Sequence, residues 1–176
     1  DKKITVEEII SIIKKMHKKK VTGIDGITAE FYQKYDYTHE WLLVIFNEAL
    51  EKKKMIGTMR TAVVKILFKK GDRKEIGNYR PLSMLCADYK ILAKIAANRM
   101  RDVLKSIIDV DQQGFIKDGD ITGNIILVKE IAEYCNKTDS EGYIIMMDFM
   151  KAYDRVSREA LRETLAEMNL ASSLLD

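Results

Sequence analysis

The chain has one proline, one tryptophan, two cysteines and two histidines among its 176 residues. Each scarcity closes off a class of protein. Cys86 and Cys135 stand far apart with no metal-ligand spacing around them, so neither a disulfide-stapled scaffold nor a zinc module is expected, and a reduced, intracellular compartment is the natural reading. His17 and His39 likewise lack Cys or His partners and are expected at the surface. No apolar run approaches the roughly 20 residues that a membrane-spanning helix needs, so no membrane partner is expected. Neither sign of charge dominates: 30 basic residues face 27 acidic ones, and a net charge of +3 says little about partners. What is present is apolar content of 47%, enough at this length to bury a core of ordinary size. Basic residues crowd positions 14 to 20, 52 to 54, 65 to 74 and 90 to 105, while acids are relatively more frequent after Asp139. An uneven basic surface attracts a phosphate backbone, although solvated helix faces account for such runs equally well.

Hydrophobic spacing divides the chain into helices and a hairpin. Thr5 followed by Glu8 is a capping-box pattern, and Val6, Ile9, Ile10, Ile13 and Met16 continue it as a helix over about 5 to 19. The lysine-rich end, His17 to Lys20, suits a helix C-terminus. Two glycines flanking Asp25 in VTGIDG predict a sharp turn before a short helix. Thr38 to about Lys53 reads as a helix with Trp41, Leu42, Ile45, Phe46, Ala49 and Leu50 on its core side. Residues 62 to 68 and 78 to 85 read as two extended segments around a charged, glycine-bearing turn. Further helices are predicted over 87 to 108, over 122 to 135 with Thr122 as cap and Ile125, Ile126, Val128 and Ile131 as its apolar residues, and over 158 to 169 with Ser157 as cap.

The chemistry gathers at Gly142 to Val156. The unbroken apolar run Tyr143 to Met147 reads as a short strand covered on both faces, and it delivers Asp148 at its end. A carboxylate in such a place must be paired, hydrogen-bonded, solvated in a cleft or bound to a metal. The run Asp148 to Asp154, DFMKAYD, resembles motif A of reverse transcriptases in the form found in non-LTR (LINE-type) retrotransposons. Other segments resemble the same family in the same order. Thr22 to Tyr32 is similar to its N-terminal "GxDGIxxEFYK" segment, KILFKKGDRKEIGNYRPLSML to its fingers hairpin, and YKILAKIAANRM to the helix that follows. DQQGFIKDGDITGNI is similar to "QxGFxxGRxIxDNI", departing from it at Asp118, Gly119 and Gly123. Met59 stands near where the family often has tryptophan.

The resemblance implies an α+β fold: right-hand polymerase fingers made of helices and a small antiparallel sheet over 1 to 140, and the start of the palm over 141 to 176. It implies RNA-directed DNA polymerase chemistry, with two Mg²⁺ ions, an RNA template, a DNA primer and a dNTP as partners. Asp148 would be the catalytic metal ligand, with the Phe149 carbonyl beside it. Lys69 and Arg80 would meet the triphosphate, and Tyr153 would lie under the sugar as a steric gate. Thr22, Gly23, Asp25, Gly26, Gln113, Gly114 and Phe115 would approach nucleic acid. Asp154 is as readily a structural hydrogen-bonding residue as an electrostatic assistant. Because no "[FY]ADD" run occurs in these 176 residues, they are expected to be inactive by themselves. A non-catalytic RNA-binding module and a group II intron maturase are the alternative expectations, together with self-association through an incomplete palm sheet edge and a nuclear location for the full-length protein.

Overall fold

A computed structural model describes residues 2–109, 111–116, 119–150 and 152–168. Lys151 and Asp118, singled out above, and the expected helix end at Asn169 lie outside the described residues. In chain order the elements are α1 (Val6–Lys15), α2 (Ala29–Lys34), α3 (Thr38–Glu51), β1 (Val63–Phe68), β2 (Tyr79–Met84), α4 (Ala87–Ile107), α5 (Thr122–Thr138), α6 (Ala152–Arg155) and α7 (Arg158–Glu167). The fold is the expected α+β type, helix-rich with one small antiparallel sheet. Among the described residues no helix is long and apolar enough to cross a membrane. The chain divides into two compact units, one ending at Arg99 and the other beginning at Met100.

The first unit holds the core. Helix α1 starts at a complete capping box: Glu8 N–H donates to Thr5 Oγ1 at 3.4 Å, and Thr5 N–H donates to Glu8 Oε2 at 3.0 Å. Its stripe of Ile9, Ile12 and Ile13 packs with Phe46 and Leu42 of α3, Tyr32 of α2, Met59, and Ile91 and Ile95 of α4. Full burial of Phe46 stabilises this unit by about 1.5–3 kcal/mol. Two expectations need correction here. Trp41 and Leu50, 60% and 45% exposed, are outside the core, because the buried stripe of α3 runs through Thr38, Leu42, Phe46 and Ala49 instead. His39 is buried, not superficial, and its Nε2 lies 2.9 Å from the Tyr32 carbonyl. That partner removes the cost of burying a ring nitrogen.

β1 and β2 pair antiparallel from Val63↔Met84 to Phe68↔Tyr79. Beyond the ladder, Lys69 N–H donates to the Asn78 carbonyl at 2.9 Å. Alternation from that pair places Pro81, opposite Ile66, at a non-hydrogen-bonded position where its missing N–H costs nothing. The connecting turn is tied by Asn78 Nδ2 donating to the Asp72 carbonyl and Tyr79 Oη donating to the Arg73 carbonyl, each at 2.9 Å. The Phe68 and Tyr79 rings, 5.5 Å apart and nearly perpendicular, close its base.

In the second unit, α7 begins as expected, with Ala160 N–H donating to Ser157 Oγ at 3.3 Å. At α5 it is Asp120 Oδ1 that accepts from both the N–H and the hydroxyl of Thr122, at 2.9 and 2.6 Å, so aspartate does the capping work expected of threonine. The apolar residues predicted for α5, Ile125, Ile126, Val128 and Ile131, are exposed. The largest correction concerns Tyr143 to Met147, which is neither a strand nor buried: Met146 and Met147 are 92% and 89% exposed. An extended segment becomes a strand only where a neighbouring edge accepts its N–H and carbonyl groups. Among the described residues β1 and β2 form the sheet, and they pair with each other.

Candidate nucleotide and nucleic-acid site

The hairpin's register sets where the two cations expected to meet the triphosphate stand. Arg80 stands opposite Leu67, and side chains alternate along a strand, so Lys69 falls on the same face as Leu67 and Arg80. The two cations are thus diagonal neighbours, about 7–8 Å apart by the general geometry of antiparallel pairs. Both are exposed, and neither side chain has a hydrogen-bond or ion-pair partner among the described residues. Lys65 lies on that face too, opposite Leu82. Gly71, with φ of 92°, makes the turn possible: a side chain there would be strained and would meet Asn78 Nδ2 at 2.6 Å. A planar guanidinium fork beside a mobile ammonium suits a polyphosphate.

The VTGIDG loop is organised by packing. A Cβ on Gly23 would lie 2.4 Å from Cys86 N and 2.6 Å from Cys86 Cα, so only glycine lets the loop approach the start of α4. Asp25 Oδ1 accepts from Ile27 N–H at 3.1 Å, and Gly26 takes a left-handed φ of 70°. Asp25, Cys86 and Asp88 bring their carboxylate and thiol atoms within 4.8 Å of one another, a cluster that nothing in the sequence announces. Burial, followed by the Asp25 charge, raises the pKa of Asp88, and burial with Asp88 and Asp25 beside it raises that of Tyr32. Each member has a protein partner: Asp88 Oδ1 accepts from Tyr89 N–H at 2.6 Å, and the Cys86 thiol donates to the Thr58 carbonyl at 3.6 Å. The cluster fastens loop to helix. Thr22 is half-buried and Gly26 exposed.

Sequence reasoning also passed over Arg99, reading it as part of a solvated face. Its Nε and Nη2 donate to the Glu8 carboxylate at 2.8 and 2.7 Å, and its Nη1 and Nη2 donate to the carbonyls of Lys2 and Lys3 at 2.6 and 2.9 Å. Glu8 is held below the ordinary carboxylate range by that guanidinium.

In the second unit, Gln113 Oε1 accepts from Asp120 N–H at 3.0 Å, and the Gly114 carbonyl accepts from Gln112 Nε2 at 2.9 Å. Phe115 is 98% exposed with a left-handed φ of 64°. Asp148 and Phe149 lie in an exposed stretch outside helix and strand, and the Asp148 carboxylate has no hydrogen-bond partner among the described residues. Tyr153 and Asp154 follow on α6 and line an open depression with Val156, Arg158 and Leu161. A free carboxylate with a neighbouring carbonyl is a hard-oxygen donor set, which fits Mg²⁺ and leaves room for the waters that ion retains.

The hairpin thus carries two cationic side chains without partners on one face, in a chain that also presents an exposed aspartate. The chain belongs to the reverse transcriptase (RNA-dependent DNA polymerase) family, whose model matches residues 68–175. It is 34% identical over 163 residues to the uncharacterized 149 kDa protein of transposon TX1 from Xenopus laevis, an alignment covering 92% of this chain and 12% of that protein. It is 28% identical over 171 residues to a probable RNA-directed DNA polymerase from transposon BS of Drosophila melanogaster, covering 91% of this chain and 18% of that one. The chain therefore spans under a fifth of the length of either relative. Both are transposon proteins, in agreement with the LINE-type resemblance of the motifs.

Proposed function

We propose that these residues form the fingers, over 1 to 140, and the start of the palm, over 141 to 176, of an RNA-directed DNA polymerase. In this reading they work within a longer polypeptide, extending a DNA primer on an RNA template inside the nucleus. The observation that carries the reading is the hairpin face on which Lys69 and Arg80 stand together without partners. Family membership supports it, since reverse transcriptases act on template and primer with a divalent metal ion.

In this reading Lys69 and Arg80 hold the triphosphate of the incoming dNTP, and Tyr153 lies under its sugar, discriminating against a 2′-hydroxyl. Asp148 and the Phe149 carbonyl hold Mg²⁺. When bound, that ion supplies charge neutralisation at the attacking and leaving oxygens of phosphoryl transfer. The primer 3′ oxygen attacks the α-phosphorus in line, and the bond to pyrophosphate breaks. Thr22, Gly26, Gln113, Gly114 and Phe115 lie along the nucleic acid, while Gly23 and Asp25 shape the loop that presents their neighbours. The exposed run Tyr143 to Met147 is also the segment through which we propose self-association, because a backbone outside any sheet can pair with a second copy.

The test is primer extension on an RNA template with Mg²⁺, by a chain prolonged downstream by about 150 residues, a domain-sized addition. Asp148→Asn is expected to lower extension by about a hundredfold or more. Equal rates in both would remove Asp148 from the mechanism. Loss of extension in the parent as well, with RNA still bound in a salt-dependent way and no response to dNTP, would favour a non-catalytic RNA-binding module.

A further inference from the structure

Four aromatic rings run along the surface of the first unit from α2 onto α3. Phe31 and Tyr35 have centroids 5.1 Å apart, Tyr35 and Tyr37 5.8 Å, and Tyr37 and Trp41 5.1 Å. The core does not use the outer part of this run: Tyr37 is 55% exposed and Trp41 60%. The Tyr35 and Tyr37 hydroxyls have no hydrogen-bond partner among the described residues.

Positive charge adjoins the rings. Lys34 Nζ sits 5.4 Å from the Tyr35 centroid. The basic segment after α1 is tied to the same short helix, with Lys19 N–H donating to Glu30 Oε1, and with Gln33 Nε2 donating to the Ile13 and Met16 carbonyls at 2.8 and 2.9 Å. Lys18, Lys19 and Lys20 lie on that segment and Lys34 on α2 itself, while Glu30 of α2, Asp36 and Glu40 are the neighbouring acids. Four cations against three acids leave a positive excess, which favours an anionic ligand over a basic peptide. Aromatic faces next to a cationic border are the two components with which proteins hold unpaired bases, by stacking and by attraction to the phosphates.

We propose that the ladder ending in Tyr37 and Trp41 is a stacking platform for single-stranded RNA, with Lys34 and the Lys18 to Lys20 segment taking the phosphates. The identity of that strand as a template rests on the polymerase reading; the stacking chemistry stands without it. The platform lies beyond the VTGIDG loop that the motif resemblance assigns to nucleic acid, and it uses other residues.

Trp41 is the only tryptophan in the chain, so its fluorescence reports this surface and no other. The experiment titrates the 176-residue protein with a fifteen-nucleotide oligouridylate, with neither metal nor dNTP present, following tryptophan emission and the anisotropy of labelled RNA together. Saturable quenching with a midpoint equal to the anisotropy midpoint is expected, with blunt duplex RNA quenching far less. Tyr37→Leu is expected to weaken binding about tenfold and Tyr37→Phe to leave it near the parent value, because stacking needs the ring and not the hydroxyl. Tyr37 is exposed, and circular dichroism checks that the variants keep their helices. RNA binding without quenching, no RNA binding at all, equal affinity for Tyr37→Leu, or quenching by oligolysine in place of RNA would each overturn the proposal. Because no catalysis is read, these outcomes are independent of the effect of Asp148→Asn on extension.

Discussion

Asp88 is the residue whose environment departs furthest from what its type prefers. It is buried at the start of α4 beside Asp25 and Cys86, and burial raises its pKa. A carboxyl whose folded pKa lies above its unfolded value is neutral in both states in acid, so it costs nothing there. As pH rises through the folded value, the charge appears in a poorly solvated place and stability falls. Asp88→Asn keeps an oxygen for Tyr89 N–H and removes the charge. Its thermal midpoint is expected to exceed the parent's at pH 7.5 and to approach it near pH 4; an equal difference at both values would refute this. Gly23 gives a second test of the same junction. Gly23→Ala drives a methyl into the backbone of Cys86 and is expected to cost about 1–3 kcal/mol, seen as a lowered thermal midpoint. An unchanged midpoint would mean that the loop is not held against α4.

The hairpin and the helices show how far local pattern carries. β1, β2 and the charged turn were legible because the β-branched Val63, Val64 and Ile66, a glycine and a proline each act on their own neighbours. The capping box at Thr5 and the cap at Ser157 were legible for the same reason. What the pattern did not convey was exposure. Val64, Ile66, Leu67 and Leu82 on the hairpin are all more than half exposed. The role we propose for the hairpin, presenting Lys69 and Arg80 to the triphosphate, is tested by variants. In the active polymerase, Lys69→Ala and Arg80→Ala are each expected to raise the KM for dNTP about tenfold, since a charge-assisted contact to phosphate is worth about 1.5–3 kcal/mol. Lys65→Ala, on the same face, tests the reach of the cationic strip. Lowered kcat at unchanged KM would place these residues in the chemical step instead of in nucleotide binding.

Among the described residues one region has a buried core and one does not. Every buried residue among those described lies at or before Ile95, and none of the described residues from Met100 onward is buried. Amide exchange is therefore expected to be slow in α1, α3 and the first half of α4, and fast from 143 to 150, with protection tracking buried contacts. Slow exchange over Tyr143 to Met147 would show a paired strand there. The amino-acid order decided whatever depends on neighbours in the chain: the caps, the hairpin, the amphipathic run of α4, and the motif order that marks a reverse transcriptase. Only the folded chain decided which apolar faces find partners and which distant polar groups meet. Arg99 reaches Glu8 across 91 positions, Asp25 meets Asp88, His39 finds the Tyr32 carbonyl, and Trp41 stays outside. Periodicity identifies an apolar face, but burial needs a second surface. That second surface is supplied by chain too far away in sequence for any local pattern to encode.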